Sequence, residues 1–572
     1  MLFYHRLFLI VLLSSFSIAV CFSQNVTFTT QTQVDAFDNS ITTITGELKI
    51  QTSFSPTDPI IDLSNLSNLT TVGGVLTIKS NINLSNFAGL DNLTSIGSHV
   101  YIQGNPALTN INGLSGLTEI EGDAYIQFND ALPNINGLVN LTNIGGNLYL
   151  FDNEGLTNLD GLDNLETVGG YLNISEHEAL TNVDGFNNLT TIGSYLAIGE
   201  NASVVTLNGF QNLTSLGDYL LIHNHPLLTT INGFTNLTTI MGAVIMNDNL
   251  VLVNIDGLTN IISIGSFLQI EDNAVLQNVN AFNNLTTIGG FLNIESNDGI
   301  ESLAGFDNLN TIGGYLEIID NNALTDFDDF TTLTSVGGYL NIRNNSGLMT
   351  INGFLNLNNI TEYLNLSGND NLETVGGFSN LLTIGESFSI IINDLLLDVS
   401  GFNSLVSVGG YFRLVNNPSV MNMDGMTNLT SVGEYVRIID NGALLDLDGF
   451  VNLTSIGGYL QIRDNTVLTN VNFSNLIAIS EYLQIEDNFN LLHLDGFANL
   501  TSIGGYLQIR DNTVLTNVNG LINLTSIGGY LQIVDNNNLL NVDGFTNLTS
   551  LGEYLRVGGN ASLLNVDVVS SV

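Results

Sequence analysis

NLTSIGGYLQIRDNTVLTNVN occupies residues 452–472 and recurs, letter for letter, at 499–519. A duplication that exact invites a search for a longer period. We number the unit GFxNLTSIGGYLQIRDNTVLTNVD as positions 1 to 24. The apolar residue of position 2 then falls at Leu66, Leu90 and Leu114, and every 24 residues onward to Met426 and Phe450. One residue is lost before Phe473, where VNFSNL lacks the Gly of VDGF. The period resumes at Phe497, Leu521 and Phe545, making 21 copies. ITGELKI at 44–50 matches the IGGYLQI core and reads as a first, capping coil.

Within a copy, positions 12 and 14 are apolar and alternate with 11, 13 and 15. That is the mark of a strand with one buried face. The other apolar positions, 20, 23, 2, 5 and 8, lie three apart, as in a chain winding round a core through short strands and corners. Glycines at positions 1, 9 and 10 argue against continuous helix. The expected fold is all-β: a right-handed parallel β-solenoid of about 22 coils of 24 residues, with strands of successive coils stacked about 4.8 Å apart. A single coil buries too few side chains to offset its ordering entropy, so each copy needs its neighbours. Position 17 is Asn in all copies but two, where His177 and His225 replace it. Asn105, Asn153, Asn273, Asn321, Asn465 and Asn512 belong to this column. Turned inward at a corner, they would form a structural ladder of amides.

The pattern L-x-I-x-x-N resembles a leucine-rich repeat. The fuller NLTSIGGYLQI resembles the receptor L-domain repeat of insulin- and epidermal-growth-factor-type receptors, and still more the long secreted bacterial proteins built from the same repeat. The likeness covers about residues 41–567. It implies a right-handed β-helix and extracellular ligand or surface binding, and carries over no contact residue. Receptor L domains are short and disulfide-rich, whereas this chain holds one cysteine, Cys21.

Composition bounds the function. The 572 residues include 58 Gly, 6 Pro and no Trp, and carry a net charge of −45. Phosphate backbones need clustered Lys and Arg, so nucleic acid is not an expected partner. Residues 1–23 read as a secretory signal: an Arg-bearing start, an apolar run from Leu7 to Val20, then Cys21-Phe22-Ser23 before the cut. Lipidation at Cys21 is disfavoured by Val20. Cleavage would leave no cysteine. No later run is long enough to span a membrane. The expected organisation is a capping segment with the first coil over 24–64, then an uninterrupted solenoid over 65–572. The final NVDVVSSV stops in mid-coil, which suggests truncation, end-to-end self-association or closure by another chain.

Outward columns are where such a scaffold carries function. Position 11 is Tyr in most copies, and Tyr101, Tyr125 and Tyr149 lie at position 13 of the same face. The bases follow: Arg413, Arg437 and Arg556 at position 13, Lys79, Arg343, Arg463 and Arg510 at position 15. The candidate ligand-binding face is Tyr411, Arg413, Tyr435, Arg437, Tyr459, Arg463, Tyr506, Arg510, Tyr530, Tyr554 and Arg556, residue types enriched at recognition hot spots. A protein or glycan on a surface is the expected ligand. The bland alternative is that tyrosines suit exposed strands and stack between coils while the bases relieve acidic repulsion, leaving a structural rod or spacer.

Other chemistries fit less well. His223 and His225 are flanked by no cysteine, and corner filling accounts for His225 better than a metal does. The Asp column at position 16 offers single carboxylates, weak for Ca²⁺. The N-L-T sequons recur because the repeat does. Thr pairs at positions 6 and 7 are adjacent and flanked by inward residues, unlike an ice-binding face. The constant period leaves no insertion or acid/base cluster for a polysaccharide-cleaving enzyme. No catalytic residue, metal or cofactor is expected.

Overall fold

A computed structural model describes residues 20–22, 24–53 and 55–566. The signal reading over 1–19 and Ser23, and the terminal residues 567–572, lie outside the described residues. The chain forms two compact units, Met1–Gly170 and Tyr171–Val572. Both are built of right-handed parallel β-coils, about 22 turns in all, as the repeat predicts.

In the first unit, each coil contributes a two-residue strand at positions 7–8, a turn at 9–10 and a four-residue strand at 12–15. The long strands Leu48–Gln51, Leu76–Lys79, Val100–Gln103, Ala124–Gln127 and Leu148–Phe151 stack in parallel. Their register is strict: Leu76 pairs with Val100 and Ile78 with Ile102, one full period on. Ahead of them, Val26–Phe28 pairs with Leu48–Ile50, and the short helix Gln31–Asp35 packs over the core through Val34.

The second unit repeats this from Leu172–Ser175 to Leu555–Gly558. The deleted residue before Phe473 is absorbed at a corner. Leu460 pairs with Leu483, 23 residues on, and the strand register survives. The third side of most coils is a 3₁₀ turn over positions 24, 1 and 2, such as Asp448–Phe450. A few coils have a short strand on this side and no 3₁₀ turn, at Asp326–Phe327, Thr350–Ile351 and Thr374–Val375.

Positions 2, 5, 8, 12, 14, 20 and 23 fill the interior. Phe450, Leu453, Ile456, Leu460, Ile462, Leu468 and Val471 are each at most 2% exposed. Successive position-2 rings stack on one another: Phe282, Phe306, Phe330, Phe354, Phe378 and Phe402 lie 5.0–5.7 Å apart, centroid to centroid. Position 1 shows why this corner holds glycine. A Cβ on Gly449 would sit 1.7 Å from the carbonyl oxygen of Met423 in the coil before.

The position-17 amides from Asn81 to Asn536 are fully buried. Asn321 donates from Nδ2 to the carbonyls of Ile294 and Ile319, both at 2.9 Å. Its backbone N–H donates to Asn345 Oδ1 at 3.0 Å, and its own Oδ1 accepts from Asn297 N–H at 3.1 Å. Asn105, Asn153, Asn273, Asn465 and Asn512 bond the preceding coil through Nδ2 in the same way, to Ile78, Ile126, Met246, Ile438 and Ile485. The residue before each lies in the left-handed region: Asp272 has φ +54°, Asp320 +55° and Asp464 +58°. Asp and Asn tolerate that conformation best after Gly. Local geometry therefore explains the Asp column at position 16.

Candidate binding face

Positions 11, 13 and 15 of the long strands point away from the core because their neighbours 12 and 14 point in. In the first unit, Tyr101 and Tyr125 stack with centroids 5.0 Å apart and planes 8° apart, while Tyr149 is tilted by 56° against Tyr125. His99 sits 3.1 Å from Asp123 beside them.

In the second unit the position-11 rings form three stacks, separated by Ala243 and Ser387. The first is Tyr171, Tyr195 and Tyr219, and the second runs from Phe267 and Phe291 to Tyr363. The longest comprises Tyr411, Tyr435, Tyr459, Tyr482, Tyr506, Tyr530 and Tyr554, with centroids 4.3–4.9 Å apart and planes within 9° of parallel. One coil spacing is one ring spacing, so each ring covers the next. Inside the stack both faces of each ring are covered, and what the column offers outward is its edges and hydroxyls. Burial between neighbours pushes the phenols up, Tyr506 to about 12 and Tyr339 and Tyr459 further. These hydroxyls are neutral donors and acceptors at physiological pH.

Position 13 carries a second polar line. Asn341 Nδ2 donates to Glu317 at 3.0 Å, and Asn365 to Asn341 at 2.8 Å. Further along, Gln461 donates to Gln484 at 2.9 Å.

Four arginines of this face divide into two kinds. Arg463 and Arg510 are exposed and paired with carboxylates: Arg463 Nε lies 2.7 Å from Asp464, and Arg510 Nε lies 2.7 Å from Asp511 with Glu486 at 3.6 Å. Arg413 and Arg437 are half-buried and lie over the tyrosines. Arg413 Cζ is 4.2 Å from the Tyr411 centroid and 5.4 Å from that of Tyr435. Arg437 Cζ is 5.3 Å from both Tyr435 and Tyr459. Arg413 Nη2 also donates to the Tyr435 hydroxyl. Arg556 is exposed on the coil of Tyr554, across the strand pair from Gln532.

Sequence reasoning passed over one column. The position-4 Asn donates to the position-3 carbonyl of the preceding coil: Asn140 to Ser115 and Asn164 to Val139 in the first unit, Asn284 to Thr259 and Asn523 to Ala498 in the second, at 2.7–2.9 Å. The signal was visible as the near-constant Asn of the N-L-T run. A shallow concavity on this flank is lined by Asn236, Thr238, Asn260, Ile262 and Asn284, but its amides are already spent on backbone carbonyls.

His225 is fully buried, with Nδ1 3.3 Å from the Asn201 carbonyl and Nε2 3.2 Å from that of Ile198. His223, across the strand pair from Asn247, lies outside that corner. Among the described residues, no group of three or more His, Cys, Asp or Glu is placed to hold a metal ion. Nor is any described helix long and apolar enough to cross a membrane.

Comparison with known proteins is consistent with a leucine-rich-repeat-like solenoid. The receptor L domain family model matches residues 40–132. No curated protein matches the chain. Among solved structures, the crystal structure of a TLR13–ssRNA13 complex is similar at 15% identity, covering 96% of this chain and 85% of that one, with a TM-score of 0.26. So low a score carries no argument about this chain.

Proposed function

We propose that this is a non-catalytic, secreted or cell-surface binding protein that recognises a protein or carbohydrate through the Tyr/Arg face of its long strands. One observation carries the reading: over a continuous apolar core, the outward strip from Tyr411 to Tyr554 lines up seven phenol hydroxyls beside a row of amides and guanidinium groups. Such a strip offers repeated hydrogen bonding at one spacing, which suits an extended ligand on a surface. Secretion rests on the apolar run within residues 1–23.

The test separates hydroxyls from packing. Phe267 and Phe291 already stand in the column, so Tyr→Phe at 459, 482, 506 and 530 keeps the stack and removes the hydroxyls. A glycan array and a whole-cell adhesion assay should lose signal with this variant. Full binding by a folded quadruple variant would end the reading.

A structural spacer is the second reading. The stacking itself favours it, because rings that cover one another stabilise the coils without any ligand.

A further inference from the structure

Arg413 and Arg437 are anomalous on their own face. They are adjacent in register on parallel strands, where like charges repel. Each is half-buried, and the Nε of each is covered and has no hydrogen-bond partner. Among the described residues no carboxylate oxygen lies within 4.0 Å of either, although the chain carries a net charge of −45. Their counterparts farther along, Arg463 and Arg510, each have an acid at 2.7 Å. The surroundings deepen the contrast. The rings of Tyr411, Tyr435 and Tyr459 lie on one side of the pair, and Val415 and Ile439 occupy position 15 on the other. Gln461, next in the column, turns its amide nitrogen away to Gln484.

Cation–π contact offsets part of this cost and supplies no counter-charge. An oxyanion bridging the terminal N–H groups left beside the Arg413 Nη2–Tyr435 hydroxyl bond would supply it, in the forked geometry that arginine presents to carboxylate and sulfate.

We infer that Arg413 and Arg437 form an oxyanion-binding subsite of the Tyr face, which takes the carboxylate or sulfate group of an acidic saccharide. The inference rests on the reading of that face as a binding surface. A saccharide suits the strip better than an acidic protein does. The flanking groups are hydroxyls and amides in a line, matching sugar hydroxyls. A protein hot spot needs an apolar socket, and here the ring faces that could line one are stacked on each other. The acidity of the rest of the chain repels a densely charged polyanion and leaves room for one well-placed anionic group.

The experiment is calorimetric titration of the full chain with a uronate oligosaccharide, a sulfated oligosaccharide and a neutral oligosaccharide of equal length, with a Glu-rich peptide alongside. The variant is R413Q/R437Q. Gln occupies position 13 in the neighbouring coils at Gln461, Gln484, Gln508 and Gln532, so the fold should hold, and circular dichroism checks it. At least one acidic saccharide should bind at least tenfold more tightly than the neutral one, and lose at least tenfold in the variant. R413K/R437K should recover only part of that, because ammonium lacks the fork. The uronate and sulfate arms decide which oxyanion is preferred. Equal affinity for the neutral oligosaccharide, binding of the peptide in place of saccharides, or acidic-saccharide binding that survives R413Q/R437Q would each overturn the subsite. If binding survives R413Q/R437Q but falls with the Tyr→Phe variant, the face remains a binding surface without this subsite. If neither variant disturbs any ligand, both ideas fail.

Discussion

The buried corner residue of each coil connects three coils. Asn321 bonds a carbonyl behind it and receives an N–H, while its own backbone N–H reaches the amide ahead. Replacing it by Ala would strand two buried backbone groups at once, at about 1–3 kcal/mol each. Hydrogen exchange should therefore accelerate in the coils around Asn321→Ala and stay unchanged several coils away. His225 occupies the same place at a cost. Burial pulls its imidazole down to about 4, helped by neither flanking carbonyl enough to compensate. The unfolded chain takes up that proton first, so stability falls as pH drops from about 6.5 toward 4, by about 3 kcal/mol in all. His225→Asn should restore the amide ladder and remove this acid sensitivity, read from urea midpoints at pH 7 and pH 4.5. Ile392 is strained for another reason: it is β-branched and lies at φ +54°, in a slot held in most coils by Asp, Asn or Gly. Ile392→Asn should stabilise the fold by about 1 kcal/mol in the same titration.

At the scale of the coil, the corner at positions 24 to 2 is sensitive to side-chain volume. Gly449→Ala forces a Cβ against the Met423 carbonyl and should cost about 3 kcal/mol, through a local opening of two coils. Where Asp329 replaces that glycine, its carboxyl is buried and accepts from Leu303 N–H at 2.8 Å. Burial, with Asp307, Asp326 and Asp328 near, raises it to about 7. Here the folded chain holds the proton between about 3.8 and 7, so this corner loses stability as pH rises through that window, opposite in sign to His225. Asp329→Gly should flatten the dependence, visible as protection factors near Leu303 that no longer fall between pH 5 and 7. The coil around Phe473 makes the complementary point. Losing one residue at this corner leaves the strand pairing Leu460 with Leu483 untouched, because the slack is taken between strands.

For the molecule as a whole, charge and repetition set the behaviour. A net charge of −45 with few bases opposes compaction through self-repulsion. Raising sodium chloride from low to about 0.5 M should raise the thermal midpoint, since exposed charges more than a Debye length apart are screened. A midpoint indifferent to salt would mean that the acids lie too far apart to matter. Because each coil touches chiefly its neighbours, mutational effects should stay local instead of melting the chain in one step.

The sequence by itself determined the coil. A constant 24-residue period with alternation at positions 12 and 14 and apolar residues three apart admits one way to bury every copy, and so specifies all-β parallel stacking, core columns and outward columns. A one-residue shift would turn each buried column outward. What the pattern does not encode is which atom meets which across a coil spacing. The left-handed slot at position 16 lay behind a column of Asp whose sequence offers no reason for its constancy beyond a weak cation site. The position-4 amides were legible as part of the repeat, but their backbone acceptors, 25 residues back, were not. Stacking of the tyrosines face on face, and the split between Arg463 and Arg510 beside their acids and Arg413 and Arg437 over their rings, were settled by tertiary structure alone. Burial follows from periodic side-chain direction, which one dimension records. Partnership depends on rotamers and on neighbours a full turn away, and only the assembled coils bring those together.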